Sequence, residues 1–355
     1  MLEVDGSFGE GGGQILRTTL ALSVITEIPV RIYNIRGRRP RPGLRPQHAL
    51  AARALAEISR GKVRGADPGS EEVIFEPKKV KSNDYVFDIA ELEPTSGSTT
   101  LLFQCILPAL LIAKRTSTLT LKGGTHVEWS PPFQYISEVF LPMVQKLGVD
   151  SRVLIRQYGW YPRGEGEIIA LVNPATEIEA FDFTQRGELK EIHGKSFSSN
   201  LPYHIPERQR NRVMGLMETH GYDISFTTTE APAISAGTGS FLFVRYENSM
   251  VGFTILGRRG KRAEQVAEEI VSEFMEFDRS EGVIDPYMAD QLVLYAIMAN
   301  GPCRFKTHRI SQHLTTNLWV CKQFLPDLEF EIQGEVEEPG IVEIRPTGIE
   351  FAAAL

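Results

Sequence analysis

A pattern of helix, strand, helix, strand, strand occurs three times along this chain and constrains its fold more than any other feature. Residues 12–26 (GGQILRTTLALSVIT) read as an apolar helix that opens on a glycine turn, with a strand at 29–35 after it. The same reading holds for a helix at 97–113 with a strand at 117–122, and for a helix at 285–299 with a strand at 303–307. Each strand leads to a second helix, at 47–59, 132–147 and 311–324. Two strand-like runs joined by a turn then complete each unit, within 63–75, 152–172 and 329–344. The first helices begin near residues 12, 97 and 286, steps of about 85 and about 189 residues. The excess of about 104 residues is the size of a small domain. It predicts an insert at 182–282, an α/β unit of its own, before the third repeat. The expected architecture is therefore α/β (α+β), with a large domain of 1–181 and 283–355 and the small inserted domain between.

Composition narrows the function. The chain has 355 residues, 42% hydrophobic and 23% charged, with three cysteines and a formal charge of −7. These values exclude a disordered chain, a collagen-like fibre and a disulfide-stapled scaffold. Cys105, Cys303 and Cys321 form no Cys-x-x-Cys, and their sparse, odd number fits a reducing compartment, so a cytoplasmic protein is expected. The N-terminus lacks the basic and then apolar order of a secretory signal. The longest apolar run, 101–113, is interrupted by Gln104 and falls short of the ~20 residues that span a bilayer. No membrane association is expected.

The negative charge is uneven. Arg31, Arg36, Arg38, Arg39, Arg41 and Arg45 fall in one stretch without an acid, stiffened by Pro40, Pro42 and Pro46. Arginine suits forked contact with phosphate oxygens, so the stretch predicts a local anion site on an acidic surface. Earlier in the sequence, Gly6, Gly9, Gly11, Gly12 and Gly13 lead into the first helix. They allow left-handed turns and leave free N–H groups at a helix start, where an anion is favoured. The run is not a Walker A loop, since no Gly-Lys-Ser/Thr follows, and its register misses the dinucleotide fingerprint. Glu10, an acid among anion-binding amides, makes sense if it holds a metal that bridges to phosphate.

His313 opens the second helix of the last repeat, where the helix dipole favours neutral imidazole, the form that attacks as a nucleophile. The segment Tyr287, Met288, Ala289, Asp290, Gln291 opens the helix before it; on residue type alone, Asp290 and Gln291 read as a helix-start acid and a surface amide. Gln104 must find a hydrogen-bond partner inside its apolar helix or contact a ligand, because an unsatisfied buried amide costs about 1–3 kcal/mol.

Together, Gly-Glu-Gly-Gly-Gly-Gln-Ile-Leu-Arg (9–17), Pro-Gly-Leu-Arg-Pro-Gln-His (42–48), Gly-Gly-Thr (123–125), Tyr-Met-Ala-Asp-Gln (287–291) and Ser-Gln-His-Leu-Thr-Thr-Asn (311–317) resemble the RNA 3′-terminal phosphate cyclases. The resemblance runs in order from about residue 3 to about residue 345. It implies three copies of a βαβαββ unit with a smaller α/β domain inserted before the third, in agreement with the repeat arithmetic. It also implies an ATP-dependent, ligase-type reaction. A histidine takes AMP from ATP and passes it to the 3′-phosphate of RNA, and the 2′-hydroxyl then displaces AMP to leave a 2′,3′-cyclic phosphate. By motif position the nucleophile is His313. Gln104, Pro131, Tyr287, Met288, Ala289, Asp290 and Gln291 match the ATP contacts, and Glu10 matches the acid that binds a divalent metal, Mg2+ or Mn2+. Arg17, Arg39, Arg41 and Gln47 are the residues expected to bind RNA and phosphate. The family suggests a homodimer.

Two alternatives use related chains. Non-catalytic members of the family act in ribosome assembly but lack the histidine, which is present here at 313. The enolpyruvyl transferases resemble the architecture but have no use for a histidine–AMP. The stretch Gly-Thr-His-Val-Glu-Trp-Ser (124–130) departs from the family pattern, with polar and aromatic residues suited to tuning base or end preference.

Overall fold

In the computed structural model, residues 1–349 are described; positions 350–355, the end of the span assigned to the large domain, lie outside them. The first unit runs β1 (Leu2–Asp5), α1 (Gly13–Thr26), β2 (Val30–Tyr33), α2 (Pro46–Ile58), β3 (Lys62–Arg64) and β4 (Val73–Glu76). Its sheet has the order β1-β2-β4-β3, with β1 and β2 parallel and the other pairs antiparallel. A helical crossover is what joins parallel neighbours, and a simple turn suffices for antiparallel ones.

The second unit repeats this as β5 (Asp84–Asp88), α3 (Thr99–Leu111), β6 (Ser117–Gly123), α4 (Leu141–Gln145), β7 (Ser151–Gln157) and β8 (Gly166–Val172), in the order β5-β6-β8-β7. The helix expected at 132–147 is split here. A π-helical stretch, Tyr135–Phe140, runs into α4. Such insertions re-aim side chains and concentrate near functional sites.

The third unit begins with β9 (Asp182–Phe183), only two residues long. The insert follows as β10 (Leu189–Ser199), α5 (His204–Thr219), β11 (Ser225–Glu230), β12 (Gly237–Tyr246), β13 (Met250–Leu256) and α6 (Ala263–Arg279). The unit resumes with α7 (Pro286–Met298), β14 (Cys303–Thr307), α8 (Gln312–Phe324), β15 (Glu329–Gln333) and β16 (Gly340–Arg345). β9 pairs parallel with β14, so the sheet is again first, second, fourth, third. Asp182 and Phe183 fall inside the span read from sequence as insert, yet their strand belongs to the third sheet. A two-residue strand carries too few side chains to show an alternation.

The packing follows from hydrophobicity. α1, α3 and α7 are apolar on nearly every side, and a helix of that kind belongs at the centre of a fold. Leu20, Leu22, Leu107, Leu110, Val293 and Ile297 are fully buried there, each side chain contributing about 1.5–3 kcal/mol by leaving water. α1 packs on α3 and α8, and α7 on α8 and α3, which gathers their starting ends. The insert has a core of its own, in which Leu242 and Val244 of β12 meet Val213 of α5 and Ile270 and Phe274 of α6. The alternate β12 residues, Phe241 and Phe243, join the main core. The period of two along one strand thus serves two cores.

Candidate active site

The starts of α1, α2 and α8 meet around the glycine-rich turn. Gly9 has φ +57°, and a Cβ on it would come within 2.2 Å of Thr316 Oγ1 on α8, so this crossing needs glycine. The Glu10 N–H donates to Thr316 Oγ1 at 3.4 Å, holding the turn against α8. Phe8 stacks on Trp319 of the same helix, with ring centroids 3.9 Å apart. The turn thereby places Glu10, which is only 15% exposed, against the side chain that opens α8.

That side chain is His313. Its Nδ1 lies 3.6 Å from Glu10 Oε2, is buried, and has no hydrogen-bond partner among the described residues. The side chain is 41% exposed, so its access to solvent lies along the rest of the ring. Burial first, and then the cations Arg17 and Arg39, hold its pKa down to about 4. The approach to Glu10 is therefore not an ion pair, because the imidazole is neutral. The Glu10 carboxylate pairs with Arg39, and its Oε2 accepts the Gly12 N–H at 2.7 Å. Arg39 also donates to the Glu10 carbonyl at 3.3 Å.

Arg17 and His48 lie beside this group. Burial lowers Arg17 to about 10, which leaves it a cation at neutral pH. His48 is driven well below the ordinary histidine range, by burial and then by Arg17, Arg36 and Arg45. Its Nδ1 accepts the Arg45 N–H at 3.2 Å, which puts its one proton on Nε2. A Cβ on Gly13 would stand 2.2 Å from that nitrogen, so the glycine lets a histidine donor reach the start of α1.

A buried chain of hydrogen bonds carries the arrangement across three helices. Arg17 donates to Gln14 Oε1 at 2.5 Å, Gln14 to Thr18 Oγ1 at 3.2 Å, and Thr18 to Asn317 Oδ1 at 2.8 Å. Asn317 in turn donates to the Asp290 carbonyl at 2.9 Å. Ser311 caps α8 by accepting the Leu314 N–H at 3.0 Å, and its hydroxyl donates to the Asp290 carboxyl. Gln14, Thr18, Asn317 and the Ser311 cap were not singled out from sequence. The cap was legible as serine three residues before leucine; the others are short polar residues distant in the chain.

The expected ATP contacts divide by burial. Tyr287 is 62% exposed and meets Tyr135 edge-on, with centroids 6.4 Å apart. Met288 and Ala289 are fully buried, Gln104 and Asp290 are each 5% exposed, and Pro131 and Gln291 are half-buried. Asp290 lies near the start of α7, as read, but in the interior, where burial pushes its carboxyl well above the ordinary range, and Gln291, read as a surface amide, is half-buried. Asp285, the N-cap of α7, accepts the Met288 N–H at 2.9 Å and the Tyr135 hydroxyl at 2.8 Å, and burial raises it to about 6. The π-helical stretch is what aims Tyr135 at it.

The arginines also divide. Arg31 lies on β2 and pairs with Glu72 at 2.7 Å and Glu3 at 3.0 Å, so it leaves the anion site. Arg36 braces its own loop by donating to the Arg41 and Gly43 carbonyls. Arg39 reaches Glu10. Among the described residues, Arg38, Arg41 and Arg45 have no acidic side chain within ion-pair distance and are exposed. Gln47 is half-buried, and its Oε1 accepts the Ser98 N–H at 2.8 Å, which ties α2 to the start of α3.

Among the described residues no group of three or more His, Cys, Asp or Glu could hold a metal, and no helix is long and apolar enough to cross a membrane. All three cysteines are free and buried.

The chain is similar to known proteins over most of its length. The chain is 41% identical over 328 residues to an RNA 3′-terminal phosphate cyclase of Methylococcus capsulatus, covering 91% of each chain. It is 39% identical over 352 residues to one of Ignicoccus hospitalis, covering 97% of this chain and 98% of that one. It is 40% identical over 344 residues to one of Methanosarcina barkeri, covering 97% and 99%. An EPSP synthase structure from Acinetobacter baumannii overlays with a TM-score of only 0.30 at 12% identity, covering 98% of this chain and 66% of that one. The sequence model described as RNA 3′-terminal phosphate cyclase matches residues 8–332, and the chain belongs to that family.

Proposed function

We propose that this protein converts the 3′-phosphate of an RNA end into a 2′,3′-cyclic phosphate at the expense of ATP, through an AMP carried on His313. The single observation that supports it most is the state of that ring. His313 is neutral at working pH, half-exposed, and backed by a carboxylate 3.6 Å from its buried nitrogen. A neutral imidazole with its proton on Nδ1, facing Glu10, presents the Nε2 lone pair outward as a nucleophile.

In the first step Nε2 attacks the α-phosphorus of ATP, the bond to pyrophosphate breaks, and a histidine–AMP forms. The ring gains positive charge as it attacks, and Glu10 lies where it stabilises that charge. An oxygen of the RNA 3′-phosphate then attacks the same phosphorus and frees the histidine. Finally the 2′-hydroxyl oxygen attacks the activated 3′-phosphate, losing its proton, and AMP departs. The last attack is intramolecular, so no second reactant has to be captured.

Arg17 and Arg39, with Arg41 in the loop, supply the charge that holds phosphate oxygens. His48 Nε2–H and the first N–H groups of α1 are further donors, while Gln47 fixes the start of α3 beside them. Tyr287, Pro131 and Gln104 form the adenosine side, with Met288, Ala289, Asp290 and Gln291 as its floor. Glu10 is the residue that would hold a divalent cation, Mg2+ or Mn2+. A lone carboxylate fits that role only if phosphate oxygens complete the shell. Bound there, the cation would draw charge off the phosphates and favour attack.

The test is incubation with α-labelled ATP and a divalent cation. The expected result is an acid-labile, base-stable label on the wild type and none on His313→Ala. Equal labelling of the two, or none on the wild type, overturns the reading.

A further inference from the structure

The loop between β6 and the π-helical stretch holds one residue that its neighbours do not account for. Trp129 is 96% exposed, and its backbone has φ +64°. A bulky aromatic side chain rarely adopts that left-handed conformation. An indole in water and an unfavourable backbone therefore coincide at one position.

The loop that carries it is rigid at its root. Thr125 and His126 are each 1% exposed and Val127 is 8% exposed. The His126 ring stacks on Tyr158 at 4.5 Å and shares a hydrogen bond with Gln134 at 2.6 Å. The Ser130 hydroxyl donates to the Val127 carbonyl at 2.9 Å, closing the turn beneath the indole. A loop fixed this way loses little backbone freedom when something settles on the residue it carries.

The root is also fixed to the active site. The Thr99 N–H donates to the Gly124 carbonyl at 2.8 Å, and the Thr100 hydroxyl to the Pro131 carbonyl at 2.6 Å. Ser98, one residue earlier, donates to Gln47 at 2.8 Å. The first turn of α3 thus joins the Trp129 loop to the helix that follows the arginine loop. The insert presents the reverse character. Its α6 brings Glu273 close enough to act on the Tyr287 phenol, with Glu269 and Glu276 next to Glu273. Such a row disfavours a phosphate backbone on that side of Tyr287.

We infer that Trp129 is a platform on which an unpaired base at the 3′ end of the RNA stacks, so that the protein selects single-stranded ends. This rests on the RNA reading above. Every base has a face that stacks on indole, so the platform selects strandedness rather than sequence.

The test uses the full chain, wild type, Trp129→Ala and Trp129→Phe, in three assays. Labelling of the protein by α-labelled ATP is expected to be equal in all three. The KM for a single-stranded 3′-phosphate oligonucleotide should rise about tenfold in Trp129→Ala and stay within about threefold in Trp129→Phe. An oligonucleotide with an abasic terminal nucleotide should show the same loss on wild type and no further loss on Trp129→Ala. An unchanged RNA KM in Trp129→Ala, a loss confined to the ATP step, or additive losses with the abasic end would each overturn the proposal. A wild type that cyclises no RNA would instead defeat the RNA reading itself. Equal thermal midpoints for the three proteins separate stacking from a folding defect.

Discussion

The same position in the repeat is built in two ways. α3 and α7 each begin with a side chain that caps the helix: Ser98 accepts the Leu101 N–H at 3.1 Å, and Asp285 accepts the Met288 N–H at 2.9 Å. α1 begins at Gly12, which has no side chain to do so. A cap consumes the donors that an anion would otherwise use. In the two capped helices a side chain takes up one of those donors at the start. The uncapped one has no side-chain cap, and at its start the Gly12 N–H meets the Glu10 carboxylate at 2.7 Å. The same fold position thus keeps or engages its first backbone donors by the choice of a single residue.

This comparison can be broken at either kind of helix. The largest effect is expected from His313→Ala, which should abolish the AMP label, a loss of at least about 10^4 in rate because the nucleophile is gone. Next comes Gly12→Ala. Its Cβ would stand 2.2 Å from a Glu10 carboxylate oxygen. Displacing that acid should slow single-turnover adenylation about 100-fold, the cost of roughly 1 Å of misplacement. A near-normal rate would mean that the open start of α1 is incidental.

Arg39→Ala should slow adenylation and cyclisation about 10- to 100-fold, as loss of a charge-assisted contact does. It also tests the ring. With His313 held near 4, the pH–rate profile of adenylation should show no acid limb at the ordinary histidine value of about 6.5 and fall only toward pH 4. Removing Arg39, one of the cations that disfavour the imidazolium, should move that limb upward. If both rates were unchanged, Arg39 would have no part in phosphate binding.

The smallest effect belongs to a capped helix. Ser98→Ala should lower stability by about 1 kcal/mol in denaturant unfolding, with adenylation within about threefold of wild type. A larger loss of activity than of stability would make the start of α3 part of the chemistry.

The helices of the repeat were legible because their apolar residues are dense and their breaks carry glycine and proline. The insert was harder to read. β10 (LKEIHGKSFSS) is polar in composition, yet Ser196, Ser198 and Ser199 are buried, and the Ser196 hydroxyl pairs with that of Ser240 at 2.7 Å. Hydropathy registers such a serine as a surface residue, since it cannot show the partner that satisfies it across the sheet. The arginine run misled for a related reason. Charge along the chain does not show that Arg31 is spent on Glu72 and Glu3, residues that only strand pairing brings close.

The sequence by itself determined the repeat, the presence of an insert, the nucleophile candidate and the family, because local periodicity and short motifs are properties of neighbouring residues. Only the tertiary structure decided which groups meet. It set Glu10 beside His313, drew the path from Arg17 through Gln14, Thr18 and Asn317 to Asp290, and buried Asp290 at 5% exposure. Hydrogen-bond reach and desolvation depend on distance in space, and residues some 300 positions apart acquire them when α1 and α8 pack.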